Sequence, residues 1–386
     1  MIDNILQSLE DHKREKIKRS KSVIGIFLDL QKAFDVIDHE ILLKKLEHYG
    51  FSLTSLNWFK SYLHKRTQIT FINETQSASS TVKKGVPQGS VLGPLLFNLF
   101  INDIVNSSEL LKFVLYADDS NMFLSDYDLM SLVIKVNAEL VKVSTWFLCN
   151  KLPINMKKTH FLLFTNNQLY ANSNLDVYLN NKKLKQEEST KFLGVLVDKK
   201  LNWKLHINHV LSKINKNIGI IRKIRNSLDD KSKLMLYYSL VYPFIQYCNV
   251  VWGASCKTVL KPLIIAQKKI IRIIAGAHYL SHTNNLFKRL GVLKLSEVNV
   301  LESVKFVNQQ LNVVDPVIPF NFTHQFHDHY TRGSRDLRPE KPFSNLSKQF
   351  IKYRGCLLYN NLPQNVKEST TNSFKIKTKR YLLSLY

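Results

Sequence analysis

Apolar and polar positions along this chain fall into two regimes, a short-period mixture up to about residue 198 and long helical stripes after it. The run Val23-Ile24-Gly25-Ile26-Phe27-Leu28-Asp29-Leu30 is almost unbroken in apolar residues, which predicts a strand buried on both faces, with Asp29 out of character near its end. Ile41, Leu42, Leu43, Leu46 and Tyr49 then mark an amphipathic helix stopped by Gly50. A second helix over 53–63 offers Leu56, Trp58, Phe59, Tyr62 and Leu63 as candidate core. A strand over 68–72 and a polar connection over 73–80 lead to the loop Gly85-Val86-Pro87-Gln88-Gly89-Ser90, which runs straight into an apolar stretch fit for a buried helix. Two β-prone runs, Phe113-Val114-Leu115-Tyr116 and Asn121-Met122-Phe123-Leu124, flank Asp118 and Asp119, so this segment reads as a hairpin with two carboxylates at its tip. Leu132, Val136, Leu140, Val143 and Phe147 predict a long helix over 129–148, followed by a strand over 160–165 and a hairpin over 175–185 turning at Asn180-Asn181.

Beyond Lys199 the period is helical. Ile207, Val210, Leu211, Ile214, Ile218, Ile221 and Ile224 form one stripe, and further helices are expected near 231–251, 258–275 and 296–311, with a basic terminal helix carrying Lys375, Lys377, Lys379 and Arg380. A helix is also expected over 1–21, ending in the basic run Lys13, Arg14, Lys16, Lys18, Arg19 and Lys21.

Charge changes the picture more than composition does. With 45% hydrophobic residues the chain can bury a core throughout, but its formal net charge of +25 calls for a polyanionic partner, nucleic acid or an acidic membrane surface. No acidic residue occurs between Lys199 and Leu228, so Lys204, Lys213, Lys216, Arg222, Lys223 and Arg225 are read as a track for a phosphate backbone. No apolar run reaches a membrane-spanning length and no signal peptide opens the chain, which points to an intracellular protein, nuclear or cytoplasmic. Cys149, Cys248, Cys256 and Cys356 are too scattered for a zinc knuckle or a disulfide framework and are expected as buried thiols. His324, His327 and His329 with Asp328 lack a second ligand cluster and are not read as a metal site.

The candidate chemistry lies in three separated elements. Asp29 ends an apolar strand, where a carboxylate must be paired, hydrated or bound to a cation, unless it simply caps the next helix. Asp118 and Asp119 share a turn, and such a pair is either a solvated turn or a seat for a hard divalent cation. Between them, the glycine-flanked Gln88 loop suits a phosphate or a base edge, or is an ordinary turn. Together they make up the set a two-metal site for in-line nucleotidyl transfer requires.

Phe27-Leu28-Asp29-Leu30 with Ala33-Phe34-Asp35, the run Gly85 to Pro94, and Tyr116-Ala117-Asp118-Asp119 resemble the reverse transcriptase of non-LTR retrotransposons, jockey-type and related elements. The likeness extends through Asn155, Lys158 and Thr159, the Phe192-Leu193-Gly194 turn, and Tyr353-Arg354-Gly355 with Asn361-Leu362-Pro363. It implies an α+β right-hand polymerase: an N-terminal helix over 1–22, an antiparallel palm sheet packed on helices over 23–198, a helical thumb over 199–280 and a helical C-terminal region over 281–386. It implies two Mg²⁺ ions, or Mn²⁺, held by Asp29, Asp118, Asp119 and the Leu30 carbonyl, with Lys158 as the acid for the leaving group. Phe34 would be the steric gate against a ribose 2′-hydroxyl, Pro87, Gln88 and Gly89 would contact the incoming nucleotide, and Phe192, Leu193 and Gly194 would form the primer grip. The implied partners are an RNA template, a DNA primer and dNTPs, with no membrane and with oligomeric state open. The family's upstream endonuclease and its basic fingers motif do not appear in the twenty or so residues before Val23, so an N-terminally truncated domain is expected. A nucleic-acid-binding remnant without turnover, and an RNA-dependent RNA polymerase, remain as alternatives.

Overall fold

The computed structural model describes residues 1–2, 5–9, 21–325, 336–342 and 346–386. It is mixed helix and sheet, in two compact units: residues 11–188 with Met1, and residues 189–386 with 2–10. The division falls between Glu188 and Ser189, so the hairpin over 189–198 groups with the helical unit. The basic run from Lys13 to Arg19, and His327, Asp328 and His329, lie outside the described residues.

The first unit is built on a five-stranded sheet. Its strands are β1 (Ser22–Leu28), β2 (Lys112–Tyr116), β3 (Asp119–Asp126), β4 (His160–Thr165) and β5 (Lys185–Gln186), in the spatial order β5-β4-β1-β3-β2. β1 lies at the centre, antiparallel to β3 and β4, and all seven of its residues are buried. Gly25 is needed there, because a Cβ at that position would stand 2.8 Å from the Phe123 ring. Helix α4 (Leu129–Cys149) packs on β1 and β3 through Leu132, Val136, Leu140, Val143 and Phe147, the stripe its spacing predicts.

Helix α1 (His39–His48) is capped by Asp38, whose carboxylate accepts from the Glu40 and Ile41 N–H groups and pairs with Lys151 at 2.7 Å. Lys151 hydrogen-bonding, followed by the smaller effect of the backbone donors against some burial, holds the Asp38 carboxyl below its ordinary range. Near the other end of α1, Lys45 donates to the Phe100 carbonyl and pairs with Asp103 at 2.6 Å, tying α1 to α3 (Leu92–Ile101).

Helix α2 (Leu53–Leu63) departs from expectation. Leu63 is buried and Leu56, Phe59 and Tyr62 pack partly against the core, but Trp58 is 54% exposed, because α2 packs on α1 along one side and Trp58 turns outward. The strand expected over 68–72 is instead two short ladders, Thr67–Gln68 with Ser80–Thr81 and Phe71–Ile72 with Thr75–Gln76, all exposed. The turn at Asn180-Asn181 forms as expected, both residues having positive φ.

In the second unit, α5 (Lys204–Ile224) buries Ile207, Val210, Ile214, Ile218 and Ile221. The single helix expected near 231–251 is three pieces, Asp230–Leu240, Tyr242–Gln246 and Asn249–Trp252. Pro243 in the first turn of the second piece cannot donate a backbone bond, so the helix restarts there. Helices α6 (Lys257–Ile274), α7 (Leu295–Leu311) and α8 (Thr371–Ser384) follow. Of the free cysteines only Cys356 is buried; Cys149 and Cys256 are exposed at helix ends, where no packing encloses them. No helix among the described residues is long and apolar enough to cross a membrane.

Buried His206 of α5 accepts at Nδ1 from the Leu196 N–H and meets the Trp252 ring edge-on. Burial, with His209 nearby, pushes its pKa down to about 4. Between that value and the unfolded 6.5 the unfolded chain takes up the proton, so the stability His206 contributes at neutral pH is lost as pH falls through this window, on the order of 3 kcal/mol in full. Urea unfolding from pH 7 to pH 4 is expected to show a shallower acid loss for His206→Asn than for the parent; parallel curves would contradict this.

Candidate functional site

The β2–β3 hairpin closes through a two-residue turn, Ala117-Asp118, with Ala117 at φ +49° and Tyr116 paired with Asp119. Asp118 is thus on the turn and Asp119 begins β3. On the other side of β3, Leu28 pairs with Ser120 at the end of the β1–β3 ladder, so Asp29 leaves β1 at the end where β3 begins with Asp119, close enough for the two charges to interact. Neighbouring strands lie roughly 4.8 Å apart, so the sheet itself brings together aspartates ninety residues apart in sequence. Partial burial, and then the negative charges of Asp118 and Asp29, raise the Asp119 carboxyl above the ordinary carboxylate range.

Asp29 is held from its other side by 153–159. Its backbone carbonyl accepts from the Asn155 N–H, its Oδ2 accepts from Asn155 Nδ2 at 2.8 Å, and its own N–H donates to Thr159 Oγ1. Lys158 Nζ stands 3.9 Å from the same Oδ2. Leu30 bridges Ile154, but the bonds flanking that bridge belong to Asp29 and Gln31, so the Leu30 carbonyl is not used in this pairing. Asn155 and Thr159, noted in sequence only as part of a resemblance, are the residues that position Asp29.

A second pair of loops closes alongside. Val86 N–H donates to the Phe34 carbonyl, Gly85 N–H to the Ile37 carbonyl, and Gln88 Nε2 to Asp35 Oδ1 at 2.8 Å. Phe34 is half-buried, its ring 4.7 Å from that of Phe97 in α3. Gly85 has φ +87°, and a Cβ there would stand 2.8 Å from the Asp35 backbone. Ser90 Oγ accepts from the Gly93 N–H, so one of the amides that could have faced an anion is already satisfied. Pro87 and Gln88 line an open groove of 830 Å³ with Lys32, Asp35, Arg66 and Lys84, and Gly89 follows at φ +80°. The role of Asp35 in anchoring Gln88 was invisible in sequence, since nothing local marks a contact across 53 positions.

Two further groups singled out in sequence belong to the second unit. Lys204, Lys213, Lys216, Arg222, Lys223 and Arg225 are all exposed, but at roughly 100° per residue Lys213 faces away from Lys204 and Arg222, so they wrap α5 rather than line one face. Phe192, Leu193 and Gly194 belong to the second unit, where Leu193 and Gly194 turn the hairpin and the Leu193 carbonyl accepts from the Tyr247 hydroxyl at 2.6 Å.

The donor set of Asp29, Asp118, Asp119 and a carbonyl is all oxygen and anionic, which suits a hard divalent cation. Burial raises the Asp119 carboxyl first and the charges of Asp118 and Asp29 add to it, a negative surplus that such a cation would offset. As the side chains stand, no three His, Cys, Asp or Glu among the described residues converge to ligand distance, and Asp29 is engaged by Asn155 and Lys158 instead.

The profile of the family described as reverse transcriptase (RNA-dependent DNA polymerase) matches residues 3–197, half of the chain. The RNA-directed DNA polymerase from mobile element jockey of Drosophila melanogaster is 28% identical over 73% of this chain and 32% of its own length. The probable RNA-directed DNA polymerase from transposon X-element of the same organism is 26% identical over 71% of this chain and 31% of its own. The chain therefore spans about a third of the length of these relatives. A solved telomerase from Candida albicans, in complex with a fragment of telomeric RNA, aligns at 12% identity and a TM-score of 0.34, over 75% of this chain and 50% of that one.

The loop pair can be tested directly. Gly85→Ala is expected to destabilise the first unit by about 1–3 kcal/mol through its positive φ, with further loss from the Asp35 clash. A lowered urea midpoint checks this, and an unchanged one would show that the loops separate without cost.

Proposed function

The chain belongs to the reverse transcriptase (RNA-dependent DNA polymerase) family, and from that premise we propose that it is the RNA-directed DNA polymerase domain of a non-LTR retrotransposon, extending a primer 3′ end on an RNA template with dNTPs. In this reading the sheet unit is the palm with part of the fingers, and the helices after it are the thumb and a C-terminal region. The observation that supports it is the register across β1 and β3, whose ladder ends at Leu28 and Ser120, next in sequence to Asp29 and to the hairpin pair Asp118 and Asp119.

Asp29, Asp118, Asp119 and the Leu30 carbonyl would hold the Mg²⁺ ions, which supply activation of the primer hydroxyl and neutralisation of the triphosphate. The chain's own residues do the rest. Asn155 and Thr159 fix the backbone and carboxylate of Asp29. Lys158, exposed beside Asp29, is the proton donor to the departing pyrophosphate. Gln88, held by Asp35, and Gly89 form the wall against the nucleotide, while Phe34, fixed by Phe97 and by its bond to Val86, closes the space where a 2′-hydroxyl would sit. The Phe192-Leu193-Gly194 turn is assigned to the primer and the basic side chains of α5 to phosphate backbone.

One observation favours a second reading, a nucleic-acid-binding remnant without turnover: Asp29 is engaged by Asn155 and Lys158, and the three carboxylates do not converge as they stand. Mg²⁺-dependent dNTP incorporation on an RNA template separates the two. Asp118→Ala is expected to lower incorporation by about a hundred-fold or more, the scale of losing one preorganised electrostatic contact at a reacting centre. Equal signals from parent and variant would defeat the polymerase reading.

Sugar selection is a separate test. Phe34→Ala is expected to raise ribonucleotide use relative to deoxyribonucleotide by about ten-fold or more. An unchanged ratio would remove Phe34 from that role and leave it as packing for Phe97.

A further inference from the structure

Outside the site described, α2 carries a stacked column whose two ends are exposed and whose middle ring, Tyr62, is half-buried against the core. The rings of Trp58 and Tyr62 lie 5.5 Å apart between centroids and 7° from parallel, and the Arg66 guanidinium sits 5.1 Å over the Tyr62 ring. These residues are spaced by four, one helical stripe continued past the end of α2. Trp58 is 54% exposed, so its outer face is an open aromatic surface. Arg66 also lines the groove of 830 Å³, where it stands with Lys32, Lys83 and Lys84 against one carboxylate, Asp35, already bonded by Gln88. Between Glu47 and Asp103 the chain has a single acidic residue, Glu74.

We propose that Trp58, Tyr62 and Arg66 form a stacking platform for single-stranded nucleic acid, whose backbone continues into the basic groove beyond Arg66. In taking nucleic acid as the partner, this rests on the polymerase reading. The physical case is complementarity. A flat ring with one free face accepts any unpaired base, and a base in a duplex has no free face to offer. The positive groove joined to that ring through Arg66 suits a phosphate chain, whereas a protein partner seated on an apolar face would bring no matching row of negative charge. Of the four tryptophans, Trp203 and Trp252 are buried and Trp146 is half-buried, so Trp58 is the exposed one, and the emission change lost in Trp58→Phe is its own.

The test uses the full chain in metal-free buffer with short oligo(U), oligo(dT) and a duplex of equal length. Both single strands are expected to quench the emission, and Trp58→Ala to weaken their binding about ten-fold, the scale of one lost base stack, with duplex affinity unchanged. Trp58→Phe keeps a ring, so it should bind near the parental level while the emission change disappears, which guards against a folding defect. The proposal is overturned if the parent shows no quench, or if Trp58→Ala binds single strands as tightly as the parent. It is equally overturned if Trp58→Ala alters only sedimentation, which would make the face a contact between copies of the chain. Because no turnover is measured, failure here leaves the dNTP incorporation result standing, and failed incorporation with intact quenching counts against the polymerase reading alone.

Discussion

A carboxylate at the mouth of a fully buried strand is the constraint from which the first unit follows. β1 is sealed along all of Ser22–Leu28, and a charge inside that span would cost far more than the fold could supply. Asp29 is tolerated because it is the first residue past the sealed span, with Asn155, Thr159 and Lys158 on one side and the hairpin aspartates on the other. Strand register does not slide by one without turning every core residue outward. The hydrophobic pattern of β1 thereby fixes where its acid emerges, and the same pattern in β3 fixes Asp119 at the start of the neighbouring strand.

The loop pair obeys a related logic. Asp35 and Pro87 find backbone partners close by in sequence, at Lys32 and Ser90, while the Phe34 and Ile37 carbonyls are satisfied across the loop pair by Val86 and Gly85, and Gln88 adds a side-chain bond to Asp35. Gly85 is what allows the approach, because its φ and the nearness of Asp35 both exclude a side chain. Phe34 is anchored twice, by backbone to Val86 and by ring to Phe97, so the wall of the site is fastened to the same helix whose entry the Gln88 loop forms.

What could be read from sequence was what periodicity and local turn chemistry encode. The buried strand, the stripe of α4, the turn at Asn180-Asn181 and the two-carboxylate hairpin all announce themselves within a window of a few residues. What escaped was set by distant partners. Trp58 fits a core stripe as well as Leu56, Phe59 and Tyr62 do, and only the direction from which α1 packs decides which of them faces water. Asp35 gave no signal because its partner is 53 positions away. The cations of α5 all reach solvent, but a run without acids is one-dimensional and did not show how the helix spreads them around its circumference. The long helix expected over 231–251 ignored Pro243, a local signal that was present and outweighed by the apolar spacing around it.

The charge balance ties these features together. Burial raises the Asp119 carboxyl, the negative charges of Asp118 and Asp29 add to it, and the same charges would repel a phosphate chain. In the proposed function, a surface that carried only these carboxylates would turn away the nucleic acid. The chain answers with a formal surplus of +25, and part of it stands close by: Lys158 at 3.9 Å from Asp29, and Lys32, Arg66, Lys83 and Lys84 along the groove beside Gln88. Exposed lysines and arginines stabilise a fold very little, so their concentration beside an acidic site has its physical reason in what they attract. The buried pattern decides where the acids emerge from the sheet, and the exposed one sets the positive field around them.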